Sequence, residues 1–296
     1  MGDPRLYQIG TLASLLVYGM GWLDFDITVP RVVLLLTTVL ATQWVCDRLV
    51  GGQARFAMTA RSALISGLSL CLLLRTNVPL LAIAASALAV GSKFALRVCG
   101  KHVFNPTNFA LVVLLLFTDR AWVSPGQWGN AAWLAFLFAC LGGVVVQRAS
   151  RADVTFAFIL SYLAILLGRA RWLGQPLAIP LHQIESGAFL LFSFFMISDP
   201  RTTPDSRAGR ILFAALVAAG AAFVQFGLFR TNGLLWSLAA CSLLVPLIDH
   251  LLPDRRYEWN PSATLPHHPV QGARHEPLLA HPRPDAGRGA LGASRA

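Results

Sequence analysis

The chain alternates between long apolar runs and short polar stretches, a pattern typical of proteins that cross a membrane many times. Ten apolar segments can be recognised, at 6–23, 29–46, 62–74, 78–97, 106–118, 130–147, 153–168, 186–198, 209–228 and 231–252. A helix that rises about 1.5 Å per residue needs about 20 residues to cross the hydrocarbon core. The pattern therefore predicts an all-α polytopic membrane protein with about ten transmembrane segments.

Three of these segments are too short to cross alone: 62–74, 106–118 and 186–198. Each would be roughly 20 Å long as a helix, so we interpret them as broken half-helices that end inside the protein. Short interrupted segments at matching positions in two inverted halves point to a binding site near the midplane. The pattern predicts two inverted five-helix repeats, at about 6–118 and 130–252.

A faint similarity between the two halves supports this repeat. Ser66-Gly67 opens one short apolar run, and Ser186-Gly187 opens another. Each run is the third segment of its predicted half and ends in a polar stretch that contains Pro.

The polar stretch from Gly100 to Asn108 separates two apolar runs and is the strongest candidate site. Pro106 lacks a backbone N–H and disfavours helical backbone at Asn105, so one helix should end here and another begin. Asn105, Asn108 and Lys101 would then offer hydrogen bonds and charge at the break. They could bind the polar edge of a flavin or a similar planar amide. The alternative is that Asn105 only caps the helix.

For two ionisable residues elsewhere, Lys93 and Asp199, the sequence allows either a functional or a structural role. Lys93 lies late in an apolar segment, and an ionisable side chain within the membrane suggests a functional role. Alternatively, its side chain extends to the cytoplasmic surface. Asp199 follows a short segment and could cap the next turn. Alternatively, Asp199 forms a structural ion pair with Lys93, Lys101 or Arg201, which is the interpretation we favour.

Two further groups lie at predicted breaks and loops. Arg75, Thr76 and Asn77 occupy the break that the repeat relates to the Asp199 break, so a second polar cluster is expected there. Trp122 and Trp128 lie in a loop and could anchor the chain at the membrane interface or stack on a ring.

Composition agrees with a membrane protein and sets its orientation. The 296 residues are 55% hydrophobic and only 13% charged, whereas soluble domains have about 25% charged residues. With a cytoplasmic N-terminus, the inner loops hold more than twice as many Lys and Arg as the outer loops. We expect a multi-pass protein of the inner (plasma) membrane with both termini cytoplasmic. The net charge of +10 then faces anionic lipid, and no nucleic-acid partner is expected.

The remaining features add little chemistry. The five Cys lack C-x-x-C spacing and are expected to pack in the membrane core. The last stretch, 253–296, is rich in Pro, Arg, His and Gly and is predicted to be a disordered cytoplasmic tail. No motif of an NTPase, a serine hydrolase or a zinc protease is present, and no metal site is predicted.

Several of these motifs together resemble a known family over about 55–250. They are Gly100-Lys101-His102-Val103-Phe104-Asn105-Pro106, Phe195-Met196-Ile197-Ser198-Asp199-Pro200, Ser66-Gly67-Leu68 and Gly91-Ser92-Lys93. In them the chain is similar to the D subunit of the Rnf electron-transport complex and to the B subunit of the sodium-pumping NADH:quinone oxidoreductase. The resemblance implies two inverted five-helix repeats with an architecture similar to urea transporters. It also implies one FMN esterified to a Thr, a second non-covalent flavin and partner electron-transport subunits.

The chain departs from the family at the anchoring Thr. The family carries an S-G-A-T motif in the loop after the fifth helix, whereas 118–130 lacks it here. We therefore predict non-covalent flavin (riboflavin or FMN) without covalent FMN. The chain looks closer to a divergent Rnf D-like branch that includes the UnbU proteins encoded near enediyne biosynthesis.

Three hypotheses of function follow. The chain is a flavin-binding subunit that relays electrons in an ion-translocating complex, without catalysing a reaction alone. Alternatively, it is a transporter or channel for a small polar solute or natural product that uses the same central cavity. A third possibility is a structural subunit that only holds partners. The predicted ligand-binding residues are Asn105, Asn108, Lys93, Lys101, Asn77, Thr76 and Asp199.

Overall fold

The structure, a computed structural model, describes residues 3–51, 56–123, 142–147 and 150–257. The helices are α1 (Pro4–Trp22), α2 (Val29–Leu49), α3 (Phe56–Leu73), α4 (Pro79–Ala95), α5 (Pro106–Phe117), α6 (Ala152–Leu173), α7 (Ala178–Glu185), α8 (Gly187–Leu191), α9 (Arg207–Ala222), α10 (Gly233–Ser242) and α11 (Val245–Leu251). π-Helical turns continue α8 over Phe192–Met196 and α9 over Phe223–Gly227. The strands are β1 (Leu74–Thr76), β2 (Arg97–Val98), β3 (Lys101–His102) and β4 (Ala121–Val123). A further helical stretch covers 142–147.

Several helices are long and apolar enough to cross a membrane. Among the described residues, α2, α3, α6 and α9 with its π-turn can each cross a bilayer, and α10 and α11 form a fifth candidate bent by 50°. Large apolar side chains also cover the outside, including Phe117 and Trp172, which are 83% and 88% exposed. Such a surface is suited to lipid rather than to water. The chain is a helical membrane protein; its ten spans in inverted repeats, with the likeness to urea transporters, stay a prediction.

Two of the three short segments are confirmed. Helix α5 has 12 residues, and the apolar helix at Gly187–Met196 is also shorter than a span. Each begins at a side-chain cap that ends the preceding polar stretch: Asn105 accepts from the Asn108 N–H, and Ser186 accepts from the Phe189 N–H. Pro106 occupies the first position of α5, where its missing N–H costs nothing.

The prediction of a half-helix at 62–74 is wrong. Helix α3 begins at Phe56 and has 18 residues, enough to span. Its polar first turns remain helical because tertiary contacts satisfy them: Arg61 forms an ion pair with Asp3 at 2.7 Å. Ser66 therefore lies inside α3, whereas Ser186 caps α8, so the two Ser-Gly pairs do not start equivalent elements.

Two small antiparallel sheets lie at the interruptions after α3 and after α4. After α3, β1 pairs with β4 in antiparallel register, which places Arg75 opposite Trp122. Backbone groups freed at the break are thus satisfied within the protein, as a membrane interior requires. Strands β2 and β3 form a hairpin whose two turn residues, Cys99 and Gly100, both have positive φ.

Helices α9 and α10 approach closely through small residues. The Ser237 hydroxyl of α10 donates to the Val217 carbonyl of α9 at 2.7 Å. A Cβ atom added at Gly220 would clash with Ser237 Oγ. Small residues at such contacts let helices pack by close van der Waals contact in a membrane.

Replacing Gly220 with Leu is expected to lower the free energy of unfolding by about 2 kcal/mol, because the added side chain must force α9 and α10 apart. The matched control is Gly168→Leu on α6, where nothing lies within 4 Å of an added Cβ. Unfolding by SDS in mixed micelles, followed by Trp fluorescence, measures both. Equal losses in the two variants would contradict close packing at Gly220.

Candidate functional site

Asn105 joins the two short helices at their inner ends. Its side-chain oxygen accepts from the Asn108 N–H at 3.1 Å, which caps α5. Its amide nitrogen donates to the Met196 carbonyl at 3.3 Å, at the end of the π-turn that follows α8. Asn105 is 6% exposed, and both ends of its amide are occupied within the protein. Asn105 therefore caps α5, and its role in binding a ligand stays a prediction.

Asn108 lies one turn further along α5 and is fully buried. Its amide nitrogen donates to the Leu235 carbonyl of α10 at 3.1 Å, which links the two halves of the chain. Its side-chain oxygen has no hydrogen-bond partner among the described residues. Asn108 thus holds α5 against α10 with one half of its amide.

Asp199 organises the turn after the second short helix. Its carboxylate accepts from the Arg201 N–H at 3.0 Å, and its carbonyl accepts from Thr202 and Thr203. Burial raises the pKa of Asp199, while the Arg201 N–H and nearby Lys93 oppose that rise. No ion pair of Asp199 occurs within the described part of the chain, so the predicted pair is wrong. The Arg201 N–H within the turn and, at 3.5 Å, the side-chain amide of Asn105 donate to the carboxylate instead.

Lys93 is only 4% exposed and does not extend to the membrane surface. Its ammonium group donates to the Ser62 carbonyl at 2.9 Å and to the Ser62 hydroxyl at 3.1 Å. These bonds tie α4 to α3 and satisfy two of the three ammonium hydrogens. The extension of Lys93 to the cytoplasmic surface is therefore wrong.

Lys101 forms the charged link between the two halves. Its ammonium group lies 2.9 Å from Asp205 and 2.7 Å from Asp249, and the Asp205 N–H also donates to Asp249. Burial lowers the pKa of neighbouring His102 to about 4, with Arg97 contributing next, so His102 is neutral at physiological pH. Lys101 therefore supplies the hairpin charge that pairs with the two carboxylates.

Thr76 and Asn77 lie at the other break, as their spacing predicts. The Thr76 hydroxyl donates to the Arg120 carbonyl at 2.8 Å and accepts from the Val78 N–H at 3.1 Å. Both residues line a small cavity of about 110 Å³ that is separate from the Asn105 cluster. The seven predicted residues are thus divided among several places and do not line a single pocket.

A much larger cavity of about 1030 Å³ lies between segments from both halves. Its polar lining includes Gln225, Ser186 and Asn232, and its apolar lining includes Phe192 and Trp122. Leu235, whose carbonyl accepts from Asn108, also lines it. The volume and the mixture of aromatic walls with a few polar groups are typical of small-molecule sites.

The walls of this cavity depend on aromatic stacking and on both π-turns. Tyr162 stacks on Phe189 at 5.5 Å between ring centroids, and its hydroxyl donates to Gln225 at 2.6 Å. Gln225 lies in one π-turn, and Phe192 and Met196 lie in the other. Single π-turns occur frequently at functional sites.

Sequence reasoning missed this cavity, although signals existed. Gln225 is a lone amide inside an apolar run, and Thr231-Asn232-Gly233 is a polar interruption between two runs. Tyr162 carries a hydroxyl in the middle of α6. None of the seven predicted residues lines the cavity, whereas Trp122 does. Trp128 and the other loop residues from 124 to 130 lie outside the described residues.

Comparison with known proteins relates this part of the chain to a family. A sequence model of the NQR2, RnfD, RnfE family matches residues 116–258, slightly less than half of the chain. Over these residues the chain is similar to that family. The D subunit of the ion-translocating oxidoreductase complex of Klebsiella pneumoniae (strain 342) is 35% identical over 137 residues, which cover 44% of this chain and 36% of that protein. The proteins of the same name from Escherichia coli (strain K12) and Salmonella newport (strain SL254) are each 34% identical over the same shares.

The family match begins later than the sequence motifs suggest. It contains Asp199-Pro200 and most of the residues that line the large cavity, but the block from Gly100 to Pro106 precedes it. The chain spans about a third of the length of these relatives (36%). The similarity to this family therefore lies in the part of the chain that contains most of the large cavity.

Proposed function

We propose that this chain is a flavin-binding membrane subunit of an ion-translocating electron-transport complex, and that it binds riboflavin or FMN non-covalently in the large cavity. The observation that carries the proposal is the cavity itself, about 1030 Å³, with aromatic walls and few polar groups, lined mostly by family-matched residues. The names of the relatives support an oxidoreductase complex.

The residues of the cavity fit an amphipathic planar ring. Tyr162 and Phe189 offer aromatic surface, and the Gln225 amide and Asn232 offer donors and acceptors for the polar edge. Asn232 lines the cavity and makes no side-chain cap hydrogen bond to α10. A bound flavin would supply one- and two-electron transfer.

Five of the residues predicted from the sequence receive a different role in this proposal. Asn105, Asn108 and Asp199 hold the broken helices together behind the cavity. Lys93 ties α4 to α3, and Lys101 joins the two halves. We further propose that other subunits of the complex and lipid surround the chain in the inner membrane, with both termini in the cytoplasm. Residues 258–296 of the proposed tail lie outside the described residues.

The visible spectrum of the detergent-purified protein, before and after acid precipitation, tests this function. We expect a flavin band that moves to the supernatant, because the loop at 118–130 lacks S-G-A-T. Gln225→Leu is expected to reduce bound flavin at least about tenfold by removing a half-buried amide that lines the cavity, whereas exposed Gln147→Leu keeps it.

Two outcomes would contradict the proposal. Flavin that stays with the pellet would mean covalent attachment. A protein that stays colourless, even after incubation with FMN and riboflavin, would remove the redox function.

A transporter for a small polar solute is the second candidate. Helix α5 begins inside the protein and the π-turn after α8 ends there, and Asn105 joins the two. Transporters that bind solute at broken helices share this feature. Solute uptake into proteoliposomes by a colourless protein would favour this function. A flavin-containing protein that moves no solute would exclude it.

A further inference from the structure

The small cavity beside β1 has the chemistry of an anion site. It lies between the loop that precedes α2 and the break after α3, and its volume is about 110 Å³. Its polar lining consists of Asp26, Thr28, Arg31, Arg75, Thr76 and Asn77. Two guanidinium groups therefore face a space that holds only a few water-sized volumes of about 30 Å³.

Arg75 is fixed in place at this cavity. It is 2% exposed, and its Nη1 donates to the Cys71 carbonyl at 2.9 Å and to the Leu74 carbonyl at 2.7 Å. Its guanidinium also lies 5.5 Å from the centre of the Phe25 ring. The carbonyls at the end of α3 favour a positive charge there, so the cavity wall carries a rigid cation.

Arg31 brings the second guanidinium from the first turn of α2. Its Nη1 is buried and has no hydrogen-bond partner among the described residues. Thr28, which precedes α2, makes no side-chain cap hydrogen bond. A buried guanidinium N–H without an acceptor costs free energy, and an anion in the cavity would satisfy it.

Asp26 is the opposing charge at this cavity. Its side chain lines the cavity and is exposed. Two arginines and one aspartate leave one net positive charge. We infer that this cavity binds one compact monovalent anion, of the size of chloride or formate, between Arg31 and Arg75.

Thermal unfolding of the full chain in detergent, followed by Trp fluorescence, tests this inference. Sodium chloride and sodium formate are titrated against sodium gluconate at constant ionic strength, because gluconate is too large for the cavity. We expect a saturable rise of Tm with chloride or formate and none with gluconate, since an anion that binds only the folded state stabilises it.

Variants separate the site from general salt effects. Arg31→Gln is expected to raise the half-saturating concentration about tenfold or more, because a charge-assisted contact is lost. Arg120→Gln removes the same charge from an exposed neighbouring position and should leave the concentration unchanged. Asp26→Asn removes a like charge and should lower the concentration several-fold.

Two results would overturn the inference. Identical Tm curves for chloride, formate and gluconate would show that no small anion binds. A chloride or formate effect that is absent in the wild type and appears only in Asp26→Asn would show that the Asp26 carboxylate itself satisfies the arginines. The test does not depend on the flavin proposal, because the two cavities have no lining residue in common.

Discussion

Replacing Lys101 with Met is expected to lower the free energy of unfolding by about 3 kcal/mol, one of the two largest effects we predict. The ammonium group holds Asp205 and Asp249, which lie in the other half of the chain. Without it, two carboxylates remain together, mostly shielded from water, with no cation between them. SDS unfolding in mixed micelles, followed by Trp fluorescence, measures the loss.

Two further variants show whether the charge cluster is responsible. Arg201→Met changes an exposed arginine and should alter stability by less than about 0.5 kcal/mol. Adding Asp249→Asn to Lys101→Met should recover part of the loss by removing one of the unpaired charges. No recovery in the double variant would mean that Lys101 acts through packing of its stem.

The second large effect is expected for Asn105→Leu, at about 3 kcal/mol of lost stability. The substitution removes the cap of α5 and leaves the Asn108 N–H and the Met196 carbonyl without their partner. Asn77→Leu, at the exposed position of the other break, is the control and should be nearly neutral. The same unfolding measurement applies to both.

Flavin content distinguishes a structural Asn105 from a binding residue. Because Asn105 does not line the large cavity, the folded fraction of Asn105→Leu should keep its flavin. Folded protein that has lost flavin would instead place Asn105 in contact with the ring, as the sequence alone predicts.

The starts of the two short helices could be predicted from the sequence because they depend only on neighbouring residues. Asn105-Pro106 and Ser186-Gly187 start helices through capping and backbone geometry, which depend on neighbouring residues. The start of α3 is not accessible in this way. Arg61 and Ser62 interrupt the apolar run, and only their contacts with Asp3 and Lys93 make a longer helix stable.

The large cavity could not be predicted because its walls come from distant segments. Tyr162 and Gln225 are 63 residues apart but share a hydrogen bond. Each is a single polar residue in an apolar run, which has no periodicity to mark it. The charge network of Lys101 is similar, since its two partners follow more than 100 residues later.

The lining of the large cavity depends on the number of residues in each of the two π-turns. In each, an N–H donates five residues back, from Ile197 to Phe192 and from Leu228 to Phe223, instead of four. Each π-turn accommodates one residue more than an α-helical turn, so losing one residue from it would restore α-helical bonding without a large rotation of the segment beyond it. A single deletion there would therefore change which side chains line the cavity while it leaves the helices in place.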